Sequence, residues 1–147
     1  MHSRAVLALG FCAALAACSG KGTKDTERRP KAPPEPPAIA AIVAPNVVYS
    51  SAATDIDKGK ELFNQKGCSA CHKIGGGKLV GPDLKGVTAR RDTVWLSRMI
   101  LRPDVMVKED ATAKELLKTH MTPMPNQGVN PDNELAPILS YLKSNES

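Results

Sequence analysis

The sequence predicts an all-α domain over residues 55–147, and three observations carry the prediction. Apolar side chains recur at helical spacing over about Asp55–Lys66, Asp92–Arg102 and Pro131–Lys143. No strand-like run precedes the paired cysteines, Cys68 and Cys71, that follow the first of these segments. Aromatic residues make up only 3% of the chain, which is thin for a core, so a large flat apolar body from outside the sequence would fill the deficit.

Thr54 or Asp55 caps the first helix, which presents Ile56, Gly59, Leu62 and Phe63 on one face. Glycine inside a helix costs up to about 1 kcal/mol, so a close backbone approach at Gly59 is expected. The helix runs into Cys68-Ser69-Ala70-Cys71-His72. C-x-x-C-H is the c-type haem attachment pattern. Two thiols three residues apart reach the two vinyl groups along one porphyrin edge and bond to them permanently. The adjacent histidine is then held beneath the iron as its proximal ligand. One motif means one covalent haem c. The competing readings lack what they require. A zinc site needs two more ligands at metal-like spacing, but the other cysteines are Cys12 and Cys18 and the other histidines are His2 and His120. A thioredoxin-like pair needs a βαβ setting.

After the motif, Lys73–Val80 reads as a glycine-bearing loop that leads into Gly81-Pro82-Asp83-Leu84. Asp92 caps the next helix, whose apolar face is Trp95, Leu96, Met99 and Ile100, and Pro103 follows its end. A shorter helix over about Ala111–Lys118 carries Leu116 and Leu117. Thr119–Asn126 then holds three candidates for a sixth iron ligand: Met124, Met121 and His120. The last helix starts near Pro131 with Asn130 as cap and presents Leu135, Ile138, Leu139 and Leu142. Pro137 inside it is expected to remove one hydrogen bond and kink or tighten the first turns.

Gly59-Lys60-Glu61-Leu62-Phe63, the haem motif, Gly81-Pro82-Asp83-Leu84, and Met124-Pro125 ahead of a helix bearing Tyr141 together resemble the class I cytochromes c. The resemblance covers about Asp55–Ser147 and implies the small cytochrome c fold, three to five helices around one covalently bound haem. It implies that Gly59 and Phe63 meet the last helix at a close crossing. It implies that the Pro82 carbonyl accepts the His72 ring N–H, fixing the tautomer and strengthening the imidazole as a ligand. Leu84 is then expected to pack on the porphyrin and Trp95 to border it, while Arg90 and Arg91 stand between a propionate contact and a solvated position. Met124 is the expected sixth ligand, ahead of Met121, which is expected to pack on the ring, and His120. A soft thioether favours ferrous iron, so His72 with Met124 gives a higher potential than two histidines.

Residues 1–17 read as a leader, with Arg4 ahead of the apolar Ala5–Leu15. Leu15-Ala16-Ala17-Cys18 resembles a bacterial lipobox, which implies cleavage before Cys18 and its lipidation. An ordinary secretory cut would leave Cys18 as a stray thiol in an oxidising compartment. By analogy with lipoprotein sorting, Ser19 points to the outer membrane. Residues 18–54 read as a disordered tether: charged over Lys21–Lys31, polyproline-like over Pro30–Pro37, and apolar without helical period over Ala38–Tyr49, where an extended strap is the alternative. Roughly 35 residues at about 3 Å each reach about 100 Å at most.

The formal charge of +5 is spread along the chain, unlike a nucleic-acid-binding tail, and no apolar run of about 18 residues is long enough to span a bilayer. The reading is a carrier of single electrons, not an enzyme, held to the lipid bilayer through Cys18 on the periplasmic side of a bacterial membrane. Lys66, Lys73, Lys78 and Lys85 would ring the exposed haem edge and steer acidic redox partners. A terminal oxidase, a denitrification reductase or a quinol-oxidising complex fits as partner. The alternative is a gas-binding or sensory haem protein with a labile sixth ligand. A peroxidase-like enzyme needs a second haem or distal acid–base residues, and the sequence offers neither.

Overall fold

Among the described residues the chain forms eight helical segments and no strand: α1 (Pro37–Ala40), α2 (Ala53–Gln65), α3 (Cys68–Cys71), α4 (Val87–Arg90), α5 (Thr93–Leu101), α6 (Pro103–Glu109), α7 (Ala111–His120) and α8 (Leu135–Ser144). The computed structural model describes residues 37–42 and 47–147. The chain divides into two units, Met1–Lys31 and Ala32–Ser147, and every described residue belongs to the second. The leader, Cys18, Ser19 and the tether as far as residue 36 therefore lie outside the described residues.

The packing centres on the crossing of α2 with α8. Leu62 and Phe63 of α2 bury against Leu135, Ile138, Leu139 and Leu142 of α8, and Val87 and Leu96 complete that core. A fully buried aliphatic or aromatic side chain contributes about 1.5–3 kcal/mol, so this layer supplies much of the stability. Phe63 meets Tyr141 edge to face with ring centroids 5.6 Å apart, a favoured geometry for two aromatic quadrupoles. A second, smaller cluster joins Met106 of α6 to Ala113 of α7 and to Ile42. Trp95 of α5 borders both clusters.

Capping follows the sequence at α5, where the Asp92 side chain accepts the Trp95 backbone N–H at 2.8 Å. α2 starts earlier than expected, at Ala53, without a side-chain cap from Thr54 or Asp55. α6 was not anticipated, because Pro103 reads as a stop. It is instead a start: proline opens α6 where its missing N–H has no helical partner to lose, and Asp104 follows in the first turn.

The expected disorder of 18–54 does not extend to its end. Ile42 and Val47 are buried, and the Ser50 backbone N–H donates to Ser140 Oγ at 2.9 Å. Ser140 is itself buried in α8 and donates to the Ala136 carbonyl, so the strap satisfies a polar group that burial would otherwise penalise. Residues 47–49, the end of the stretch for which a strap is the alternative, lie against the domain, and Ser50 continues that contact.

The start of the last helix also differs. Residues 131–134 form a turn, and α8 begins at Leu135. Asn130 organises that turn, its Oδ1 accepting from Asp132 N–H and its own N–H donating to Glu134 Oε2. The later start puts Pro137 in the first turn of α8, where an absent N–H costs no helical hydrogen bond.

Candidate haem site

A cavity of about 450 Å³ lies within the helices, in the range of cofactor pockets. Cys68, Cys71 and His72 stand on its wall, together with Pro82, Leu84, Trp95 and Met124, so the structure gathers the expected haem-domain residues around one space. Both thiols are free. Burial pushes the Cys68 thiol up; a hydrogen bond from its own backbone N–H to the sulfur opposes this, and the neighbouring Cys71 adds a smaller upward push.

His72 Nδ1 donates to the Pro82 carbonyl at 2.9 Å, the bond the resemblance implied, leaving Nε2 as the ring's free lone pair. Gly81 makes this possible. A Cβ there would stand 2.5 Å from His72 Cε1 and 2.9 Å from Nδ1, so any side chain displaces the imidazole. Two backbone bonds hold the segment in place, Gly81 N–H to the Cys71 carbonyl and Leu84 N–H to the Lys73 carbonyl, each 2.8 Å.

Asp83 is a site-organising residue that the sequence reading passed over. Its carboxylate accepts from the backbone N–H groups of Gly75, Gly77 and Lys85 at 2.7–2.8 Å. Those N–H groups, Lys85 foremost, hold its carboxyl below the usual range, assisted by Arg90. The glycine loop, with Gly75, Gly76 and Gly77 all at positive φ, thus folds around the residue that follows Pro82. The available signal was an acid eight residues after the first of three consecutive glycines. Arg90 ties the same segment by donating to the Lys85 and Asp83 carbonyls at 2.7 and 3.2 Å.

Trp95 is partly buried, and its indole N–H donates to Asp110 Oδ1 at 3.1 Å. The same oxygen caps α7 by accepting the Ala113 N–H at 2.8 Å. Arg91 lies over the Trp95 ring, 5.3 Å from its centroid. One carboxylate therefore fixes both the cavity-lining indole and the start of α7.

Met124 is half-buried and lines the cavity. Its loop is pinned by Asn126, which donates to the Leu101 carbonyl and accepts from Gly128 N–H. Met121 does not pack on the ring: it is 82% exposed, with φ 56 at the end of α7. The left-handed turn there sends Met121 outward and leaves His120 on the cavity wall. The lysine rim also needs correction. Lys66 is engaged with Glu134 Oε2 at 2.7 Å and with the Gly128 carbonyl, whereas Lys73 and Lys85 are exposed. Lys78 donates to the Thr119 carbonyl at 3.3 Å, joining the glycine loop to α7.

Among the described residues no three His, Cys, Asp or Glu side chains are grouped to hold a metal ion by themselves. The donor set instead suits a large apolar group with its own ring of nitrogens: two free thiols, an imidazole oriented through its far nitrogen, a thioether and apolar walls. An all-helical domain with this wall defines a protein that carries its haem covalently. Residues 56–146 match the sequence model of the cytochrome c family. A cytochrome c-553-like protein of Synechocystis is 30% identical over 90 residues, 61% of this chain and 69% of its own. A cytochrome c-551 of Azotobacter vinelandii is 53% identical over 34 residues, 23% of this chain and 40% of its own. The solved cytochrome c of Rhodothermus marinus superposes with a TM-score of 0.67 at 27% identity, covering 74% of this chain and 93% of that one. The chain belongs to the cytochrome c family, with one covalent haem c and the small all-α fold of that family. It is an electron-carrying haem protein.

Proposed function

We propose that the chain ferries single electrons between respiratory redox proteins while tethered by a lipid at Cys18 to the periplasmic side of a bacterial membrane, the outer membrane by the hint of Ser19. The haem supplies an iron that accepts and releases one electron. The protein's part is to hold that iron with His72 and Met124 in both states. The observation that carries the reading is the His72–Pro82 bond at 2.9 Å in a cavity that Met124 also lines. An imidazole fixed in that way, with a thioether sharing its cavity, would hold a haem iron through a change of charge.

Cys68 and Cys71 make the thioether bonds, and Leu84 and Trp95 wall the porphyrin. No side chain in this reading moves a proton or attacks a substrate, so the chain acts as a carrier and not an enzyme. Partners are acidic redox proteins such as a terminal oxidase, a denitrification reductase or a quinol-oxidising complex, met through the exposed Lys73 and Lys85. No described helix is long and apolar enough to cross a membrane.

Two measurements test the proposal. Ferrous protein that leaves its spectrum unchanged under carbon monoxide supports the carrier, and ready binding of the gas favours the sensory alternative. Mass spectrometry of the mature protein is expected to find an acylated Cys18 at the N-terminus; a free amine or a cut elsewhere removes the tether from the proposal.

A further inference from the structure

We infer that His120 is a haem-binding residue of this chain, donating its Nδ1–H to a propionate carboxylate. His120 Nδ1 is buried and has no hydrogen-bond partner in the protein. Leaving a buried polar group unpaired is costly, so a partner belongs there. The ring lines the same cavity as His72 and Met124. The backbone is strained to keep it so: Met121, not a glycine, takes the left-handed conformation at φ 56, and its side chain is in solvent.

A bound haem offers a ring nitrogen two kinds of polar partner, the iron and the propionates, since its vinyl groups are consumed by Cys68 and Cys71. The inference rests on the proposed reading in one respect: His72 and Met124 serve the iron. What remains is an ionised carboxylate, which accepts and cannot donate, so His120 supplies the proton. The Trp95 indole spends its single N–H on Asp110, while Arg90 and Arg91, each with N–H groups beyond those bonded to the Lys85, Asp83 and Arg90 carbonyls, stand on the same cavity wall. The Lys78 ammonium, 3.3 Å from the Thr119 carbonyl, puts a positive charge one residue from His120, as an anion there would favour.

The test uses mature holoprotein with His120→Phe and His120→Gln. Without the donor, the propionate charge acts on the iron more strongly and stabilises the ferric state. His120→Phe is therefore expected to move the redox equilibrium toward ferric by up to about tenfold, ~59 mV lower for one electron. It should also shift the propionate bending band in resonance Raman spectra, leave the far-red absorption of methionine-ligated ferric haem intact, and be largely reversed in His120→Gln. Unchanged potential and Raman band with that absorption present overturn the inference alone. If the wild type lacks the absorption and His120→Phe changes the spin state, His120 is an iron ligand, and the inference falls together with the Met124 assignment. Should the Phe variant not fold, ¹⁵N-histidine NMR of the wild type decides. A protected Nδ1–H at His120 coupled to a propionate is expected, and a freely exchanging one overturns the inference.

Discussion

Gly59 and Pro137 lie against each other where α2 crosses α8. A methyl group on Gly59 would fall within the Pro137 carbonyl and 2.8 Å from Tyr141 Cβ. Those neighbours are helix backbone and the root of a side chain, so nothing swings aside, and the two helices must part. Gly59→Ala gains up to about 1 kcal/mol in helix propensity, but overpacking of this kind costs about 1–3 kcal/mol or more. A net loss of about 1 kcal/mol or more is expected, read as a lower midpoint in thermal or urea unfolding of the holoprotein. An unchanged or raised midpoint would show that the crossing can open.

A close approach at Gly59 was legible because a glycine on an apolar helix face sacrifices helix stability unless another backbone packs against it, and the family resemblance implied that Phe63 and the last helix meet there. The attachment motif was legible for a different reason: Cys68, Cys71 and His72 are neighbours in sequence and carry their own chemistry. What could not be read depends on contacts made far along the chain. Ile42 and Val47 have no helical period; Ile42 buries beside Met106, and residues 47–52 become a strap only where Val47 joins the α2–α8 core and Ser50 meets Ser140. At the end of α7, one left-handed residue exchanges the places of His120 and Met121, and no spacing rule signals a left-handed methionine. Lys66 reads as a rim lysine until Glu134 is brought to it.

Asp83 gives the domain a measurable acid sensitivity. Its folded carboxyl titrates below the ordinary value because three backbone N–H groups favour the charged form. A depressed folded pKa contributes stability that is present above the unfolded value and lost as pH falls through the folded one. Asp83→Asn is thus expected to be less stable than the wild type near neutrality, with the gap closing in acid below the ordinary carboxylate range. Urea midpoints across that interval check the sign, and a gap that widens in acid would refute it.

Docking should depend on some lysines and not others. Lys73 and Lys85 are exposed, whereas the Lys66 charge is met by Glu134 at 2.7 Å. Electron-transfer rates with an acidic partner are expected to fall as salt rises, since exposed charges are screened beyond about 10 Å at 0.1 M. Lys73→Ala and Lys85→Ala should flatten that dependence, and Lys66→Ala should leave it nearly unchanged. Stopped-flow rates over a salt series distinguish the sites; equal effects from all three would mean that Lys66 also faces the partner.

Met124 and Met121 are close in sequence, and their settings predict opposite behaviour. Met124 lines the cavity that holds His72, while Met121 is 82% exposed in a left-handed turn. Met124→Ala should remove the far-red absorption of the ferric protein, admit carbon monoxide to the ferrous iron and lower the potential, because the soft ligand that favours ferrous iron is gone. Met121→Ala should leave all three unchanged and alter stability within about 0.5 kcal/mol, as surface substitutions do. Met121→Gly goes further: glycine enters the left-handed region without the Cβ clash, so a gain of about 1 kcal/mol is expected in urea unfolding. If Met121→Ala abolishes the absorption while Met124→Ala spares it, the ligand is Met121 and the end of α7 must reorganise when haem binds. If neither does, the sixth position belongs to another group.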